Sequence, residues 1–298
     1  MTATTDDLDA AIDAAVETGP DAAIETGPDA AIETAADPAV RLARRIRLRA
    51  VQMVAPHGFG YLGQALSAAE QMAVLRTGFL RPGVDRFVCS PGHYVIAAYA
   101  AAREAGELTD EQLASYGHNG AELEAIGTET SPAVDLTCGS LAQGLSGAVG
   151  FALADRLRGT EGTRRTFVLV SDGEVQEGQT WEAALFAGHH RLREVVVLLD
   201  ANDSQVDGPV SSITTIDPLV DKWQSFGWHA EEVDGHDAAR LRTALQRAVD
   251  DERPAVVIAR TSTAHGLACL PEDADGHFIK LPAQFAARAL AELEQTDA

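Results

Sequence analysis

The sequence predicts an α/β protein, a doubly wound and mainly parallel sheet flanked by helices, on three observations. Two short apolar, β-branched runs, Thr166 to Val170 (TFVLV) and Glu194 to Leu199 (EVVVLL), do not alternate polar with apolar, as expected of parallel strands buried on both faces. Between them, from about Gln176 to His190, lies a stretch rich in Ala, Glu, Gln and Leu, suited to the crossover helix that parallel strands require. The alternation then recurs, with strands expected at 228–233 and 255–260 and helices at 217–226 and 237–251.

Taken in order, the chain opens on residues 1–38, which hold ten acids and no Lys or Arg. Gly-Pro-Asp-Ala-Ala-Ile-Glu-Thr stands at 19–26 and again at 27–34. A proline in each copy breaks a long helix, and one Ile per copy buries too little to offset backbone ordering. An acidic, disordered or poorly packed tail is expected here, a docking peptide being the alternative, and residues 39–298 are expected to form the domain. From Pro38 onward Val40, Leu42, Ile46, Leu48, Val51 and Met53 interleave with arginines as an amphipathic helix. A second helix is expected from Ser67 to about Arg76, a strand at Arg86 to Cys89 and a helix after Gly92. Thr109-Asp110-Glu111-Gln112 reads as a capping box opening a short helix. An apolar face from Leu141 to Leu157 leads into the first of the two buried strands.

Composition narrows the function. The formal charge is −22, and without the tail 35 acids still face 23 bases, so a nucleic-acid partner is not expected. No apolar run approaches the roughly 20 residues that span a bilayer, and the N-terminus lacks the basic start and apolar core of a secretion signal. No membrane partner is expected, and the cytoplasm is the expected compartment. Cys89, Cys138 and Cys269 form neither a disulfide framework nor a zinc pattern.

Chemistry concentrates where the two buried strands end. Ser171-Asp172-Gly173-Glu174 follows the first, and Asp200-Ala201-Asn202-Asp203-Ser204 closes the second. Ligands of open α/β sheets bind at that carboxyl edge. A carboxylate on Asp172, an amide oxygen on Asn202 and a backbone carbonyl near Ser204 are hard oxygen donors, suited to Mg²⁺ or Ca²⁺ rather than zinc. Gly173 lets the backbone approach a phosphate, and the helix start behind it directs free N–H groups outward. Taken alone, Asp-Gly-Glu is equally an ordinary strand-turn-helix corner.

With its distant Asn202, the segment resembles the thiamine-diphosphate signature of the transketolase family, in which Gly-Asp-Gly is followed at a similar distance by Asn. The likeness continues through Glu177-Gly178, Glu182-Ala183 and Asp207-Gly208; Ser171 stands where the family has its first glycine. Pro56-His57-Gly58-Phe59-Gly60-Tyr61-Leu62 resembles the family's Ser-Gly-His-x-Gly-x-x-Leu, which implies that His57 stands over the thiazolium and handles substrate hydroxyl protons. Asp85-Arg86-Phe87-Val88-Cys89-Ser90-Pro91-Gly92-His93 resembles a family segment that places His93 near diphosphate or substrate, with Pro91 replacing a lysine. Thr137-Cys138-Gly139-Ser140-Leu141 resembles a loop that contacts the cofactor through Gly139 and Leu141. Gly276-His277 resembles a histidine at the mouth of the site, a solvent-exposed loop histidine being the bland alternative. No counterpart is found for a further family histidine in the stretch Glu124 to Glu129.

The likeness covers roughly residues 40–285. It implies a thiamine-diphosphate-binding fold with cofactor contacts from Gly139, Leu141, Asp172, Gly173, Glu174 and Asn202, a metal held by Asp172, Asn202 and Ser204, and catalytic roles for His57, His93 and His277. It further implies the N-terminal subunit of a split transketolase, moving a two-carbon ketol unit from a ketose or ketose phosphate to an aldehyde. The family's pyrimidine-binding domain and activating glutamate would come from a separate C-terminal subunit in an α2β2 assembly, with Glu177 and Glu182 toward an interface. The alternatives are a deoxyxylulose-phosphate-synthase-like or two-oxoacid-dehydrogenase-like enzyme, or a degenerate, non-catalytic partner subunit.

Overall fold

The structure, a computed structural model, describes residues 37–270 and 276–295. The repeats at 19–34 lie outside the described residues. Asp37 caps the first helix, α1 (Pro38–Val54), its Oδ1 accepting from Ala39 N at 2.7 Å, with Pro38 in the first turn. The chain then runs through β1 (Phe59–Gly60), α2 (Leu62–Gly78), β2 (Arg86–Pro91), α3 (Val95–Glu104) and α4 (Asp110–Ala114). Next come β3 (Leu136–Cys138), α5 (Gln143–Leu157), β4 (Thr166–Ser171), α6 (Asp172–Val175), α7 (Gly178–His190) and β5 (Val195–Ala201). It finishes with α8 (Val210–Ile213), α9 (Leu219–Ser225), β6 (His229–Asp234), α10 (Ala238–Asp250), β7 (Ala255–Arg260), β8 (Ile279–Lys280) and α11 (Ala283–Gln295).

Six strands form one parallel sheet in the order β3-β2-β4-β5-β7-β6. Every residue of β4 and β5 is buried, which is why their sequences show no polar alternation. Successive side chains go to opposite faces. Val168, Val170, Val197, Leu199 and Ile258 join residues of α5, α7 and α9 in one core, while Leu169, Val196, Leu198 and Val257 join α1, α2, α3 and α10 in the other. The doubly wound architecture expected from the sequence is therefore observed.

The strand order also locates a crevice. The chain leaves β2 toward β3 on one side and leaves β4 toward β5 on the other, so the topological switch lies between the carboxyl ends of β2 and β4. A separate two-stranded antiparallel ladder, β1 with β8, pairs Phe59 with Lys280 and Gly60 with Ile279. It clips the segment after β7 back over the start of α2.

Several elements differ from expectation. The helix expected from Ser67 begins at Leu62. The helix expected from about Gln176 to His190 is observed as α7, Gly178–His190, preceded by a short capped helix at Asp172–Val175 that was not anticipated. The strand β3 and helices α8 and α11 were not anticipated; β3 and α8 are too short to show a period. The Thr109 capping box forms as expected, with both reciprocal bonds present.

Candidate active site

In-register pairing sets Ser171 beside Asp200 at the carboxyl ends of β4 and β5. Ser171 has φ −96° and ψ 159°, extended backbone that needs no glycine. Its hydroxyl accepts from Glu174 N at 3.3 Å while Glu174 Oε2 accepts from Ser171 N at 3.2 Å, so the serine is the N-cap of a capping box. Asp172 follows, 2% exposed. Its Oδ1 accepts from Gly173 N at 2.9 Å and its Oδ2 from Asp203 N at 2.6 Å, tying the two halves of the motif together. Asn202 Oδ1 accepts from Ser204 N at 2.9 Å, an Asx turn that brings Ser204 back to the same corner.

The electrostatics of this corner are those of a cation site. Burial, and then the charge of Asp200, push the Asp172 carboxyl up to about 7, against the two backbone N–H donors that favour its ionised form. No Lys or Arg is hydrogen-bonded to it among the described residues. The buried Asp172 carboxylate, the Asn202 amide oxygen and Ser204, beside the charge of Asp200, thus form an oxygen-only donor set with no cationic side chain hydrogen-bonded to Asp172 among the described residues, and a divalent hard cation fits it. Beside it lies a cavity of ≈ 340 Å³ bordered by Asp172, Asn202, Asp203, Thr261 and Arg260.

Asp200, which sequence reasoning passed over, is the hub. It is fully buried. Its Oδ1 accepts from Gln71 Nε2 at 3.0 Å and Thr261 Oγ1 at 2.5 Å. Its Oδ2 accepts from Ser67 Oγ at 2.5 Å, Tyr94 OH at 2.9 Å and Asn202 Nδ2 at 2.8 Å. Burial raises its carboxyl while these hydrogen bonds work in the opposite direction. Asn202 Nδ2 also donates to Tyr94 OH at 2.9 Å and Ser67 Oγ at 3.2 Å, so its amide is held with the nitrogen inward and the oxygen outward. The available signal was an acid ending an otherwise apolar strand.

Glu174 is fully buried and turned away from solvent. Its Oε1 accepts from Ser90 Oγ at 2.7 Å and Ala142 N at 2.6 Å, so one carboxylate joins the ends of β2 and β4 to the turn before α5. Burial pushes it up to about 7, with the Ser90, Ala142 and Ser171 donors acting against the shift. Ala142 is held at φ 66°, a left-handed conformation that is costly for alanine. Gly139 is exposed and Leu141 half-buried in this turn, and a Cβ on Gly144 would lie 2.5 Å from Ser90 Cα. Pro91 ends β2 at φ −82°, where pairing with β3 already shifts register, so a residue without an N–H is accommodated.

Of the three candidate histidines, two meet. His93 and His277 have ring centroids 5.0 Å apart, and Tyr61 lies 5.2 Å from the first and 5.8 Å from the second. Gln64 Nε2 donates to the His277 backbone carbonyl at 3.0 Å, which fixes its amide orientation, and lies 3.2 Å from His277 Nδ1. In that orientation the Gln64 amide nitrogen donates to His277 Nδ1. Burial, then the neighbouring His277, hold His93 down at about 3, so it is a neutral imidazole. His57 is elsewhere: its Nε2 donates to Tyr116 O at 2.7 Å, and its ring lies 5.1 Å from that of His118.

Glu70, His236 and His265 also bring metal-ligand residue types together. There Arg47 already pairs with Glu70 at 2.5 Å, Ser262 N donates to His236 Nε2 at 2.8 Å, and the imidazoles stack 3.6 Å apart at 11°. Parallel stacked rings do not converge their nitrogens on one ion, and the guanidinium supplies the charge a cation would bring.

The family described as "Transketolase, thiamine diphosphate binding domain" matches residues 39–288. The transketolase family protein y4mO of Sinorhizobium fredii is 38% identical over 83% of this chain and 92% of its own length. The 6-deoxy-6-sulfo-D-fructose transketolase subunit SqwG of a Clostridium species is 34% identical over 86% of this chain and 96% of its own. The rat transketolase is 32% identical, but the match covers 41% of its length. Among solved structures, the Campylobacter jejuni transketolase superposes with a TM-score of 0.78 at 25% identity, over 85% of this chain and 42% of that one.

Proposed function

The chain belongs to the transketolase family, and from that premise we propose that it is the diphosphate-binding subunit of a split, thiamine-diphosphate-dependent transketolase. In this reading it works in the cytoplasm with a separate C-terminal subunit that carries the pyrimidine-binding domain and the activating glutamate, as α2β2. Together they move a two-carbon ketol unit from a ketose or ketose phosphate to an aldehyde. The observation that carries the reading is the corner where Asp172 Oδ2 binds Asp203 N at 2.6 Å, beside Asn202, with oxygen donors and no cationic side chain on Asp172 among the described residues. The division into subunits is supported by relatives matched over 92% and 96% of their own length, one of them named as a subunit. The exposed α7 residues Glu182, Leu185 (57% exposed) and Phe186 (41%) suit the interface such an assembly needs.

Asp172, Asn202 and Ser204 would hold Mg²⁺, and Ca²⁺ suits the same donors. Thiamine diphosphate, when bound, supplies the electron sink for breaking a carbon–carbon bond beside a ketose carbonyl. The chain's own residues prepare for this. Asp200 keeps the Asn202 oxygen facing outward, and Glu174 fixes the turn carrying Gly139 and Leu141. Gly173 leaves its backbone approachable. His93, neutral, accepts a hydrogen bond or a proton from a substrate hydroxyl, while His277 accepts from the Gln64 amide at Nδ1. His57, spent on the Tyr116 carbonyl, is left out of this pair.

Calorimetry of the chain together with its C-terminal subunit tests the reading. Thiamine diphosphate binding that requires Mg²⁺ and ketol transfer from a ketose to an aldehyde are expected; absence of Mg²⁺-dependent binding would sink every enzymatic reading. Pyruvate decarboxylation in place of ketol transfer would favour the other thiamine-diphosphate chemistries.

A further inference from the structure

Resting on that reading of the site, we propose that Tyr61 is a substrate-contacting residue: its hydroxyl, with the ring nitrogens of His93 and beside the His277 ring, forms a hydrogen-bonding wall for the hydroxyls of a polyhydroxy carbon chain. The starting observation is a residue the fold does not explain. Tyr61 is the N-cap of α2, a position favouring Ser, Thr, Asp or Asn, and its side chain makes no capping bond. The ring turns instead toward His93, at 5.2 Å and 50°, and toward His277, at 5.8 Å and 83°. Among the described residues nothing hydrogen-bonds the Tyr61 hydroxyl or either ring nitrogen of His93.

The placement is built, not incidental. The β1–β8 ladder and the bond from Leu281 N to Gly58 O at 2.7 Å hold the Tyr61 segment against the strand following His277. The first turn of α2 presses on that segment so closely that a Cβ on Gly63 would lie 1.9 Å from Gly276 O. A Cβ on Gly276 would in turn lie 3.3 Å from Ser204 Oγ, so the three rings adjoin the metal corner. His93 is bonded in sequence to Tyr94, whose hydroxyl meets Asp200 and Asn202. His57, four residues earlier in the same glycine-rich turn, packs on the backbone of Tyr116 and Gly117.

The chemistry of the wall selects its ligand. A phenol and imidazoles both donate and accept hydrogen bonds. Such a surface matches the hydroxyls of a polyol, each of which can donate and accept in turn. Tyr61 continues outward through Phe278, at 5.1 Å, to Phe59, which is 53% exposed, an aromatic strip against which the C–H face of a polyol packs. Tyr61 is thus assigned the orientation of a substrate hydroxyl, and loss of its oxygen weakens binding without moving the cofactor.

The test uses the chain with labelled histidines, assembled with its C-terminal subunit, loaded with Mg²⁺ and thiamine diphosphate and titrated with xylitol as a neutral polyol. His93 and His277 imidazole resonances, assigned from His93→Gln and His277→Gln, should shift on titration. Tyr61→Phe should raise the apparent xylitol Kd about 2- to 12-fold, the span of one neutral hydrogen bond, with Mg²⁺ and cofactor affinity unchanged. Tyr61→His, which restores a polar ring, should recover part of the loss. An unchanged Kd in Tyr61→Phe, no xylitol response in the loaded chain, or a response centred on His57 would overturn the assignment. If the chain together with its C-terminal subunit fails to bind Mg²⁺ and thiamine diphosphate, the site reading fails instead, and the same titration without cofactor still decides on Tyr61.

Discussion

Asp200→Asn separates the network that aims Asn202 from the ligands themselves. The substitution keeps shape and volume but turns one oxygen into an NH₂ group. If that group takes the Oδ1 place it faces Gln71 Nε2, now 3.0 Å from an acceptor; if it takes the Oδ2 place it faces Asn202 Nδ2, now 2.8 Å away. Ser67, Tyr94 and Thr261 can rotate a hydroxyl to accept, whereas Gln71 and Asn202 can accept only by flipping an amide. Each arrangement leaves one amide donor against another. A lost charge-assisted bond is worth about 1.5–3 kcal/mol and an unsatisfied buried donor costs about 1–3 kcal/mol. Relief from burying a carboxylate offsets part of this, so a net loss of roughly 2–4 kcal/mol is expected. For a domain of this size that lowers Tm by roughly 5–15 °C. An NH₂ in the Oδ1 place can be met by a flip of Gln71, whose buried Oε1 has no partner, which holds the loss toward the lower end of this range; a flip of Asn202 instead sets its NH₂ against Ser204 N and withdraws its oxygen from the cation side, so Mg²⁺-dependent binding weakens. Urea unfolding of the chain alone and calorimetric titration with Mg²⁺ and thiamine diphosphate measure the two costs. Stability within about 0.5 kcal/mol of the parent, together with unchanged Mg²⁺-dependent affinity, would refute the hub role of Asp200.

Three further outcomes are expected. Asp172→Asn should abolish Mg²⁺-dependent thiamine diphosphate binding in calorimetry, while in the chain alone the removal of a buried charge beside Asp200 is set against the one backbone N–H, of Gly173 or Asp203, left facing the new NH₂; retained binding would remove Asp172 from the ligand set. Ser171→Ala should lose about 1 kcal/mol in urea unfolding through the missing cap, whereas Ser171→Gly should lose only about a few tenths; equal losses would show that the serine does not act as a cap. His93 sits at about 3 in the folded chain against an ordinary 6.5. Between those values the unfolded chain binds a proton that the folded chain does not, so stability falls as pH drops below 6.5. The drop from pH 6.5 to pH 5 costs about 2 kcal/mol from this group. His93→Gln should lessen the acid loss by that amount when urea midpoints at pH 5 and pH 7 are compared; an unchanged difference would mean that His93 protonates freely in the folded state.

What the sequence could disclose depended on how local the cause was. The parallel sheet was legible because β4 and β5 are buried on both faces and their composition records it, and Asp172 with Asn202 was legible because each directly follows such a strand. The acceptability of Ser171 was not, since it turns on a φ of −96° and on a hydroxyl that reaches Glu174 N. The histidines show the limit more sharply. His57 and Tyr61 stand in one glycine-rich turn, and nothing in their spacing says which ring turns inward. Between them runs a two-residue ladder joining Phe59 to Lys280, across more than two hundred positions of chain. An imidazole at position 57 satisfies itself on the Tyr116 carbonyl, whereas the phenol at position 61 has no such partner among the described residues and meets His93 and His277. A motif match thus located the turn, while the contacts its two rings make depend on packing against Tyr116 in one case and against His93 and His277 in the other, which the motif does not encode.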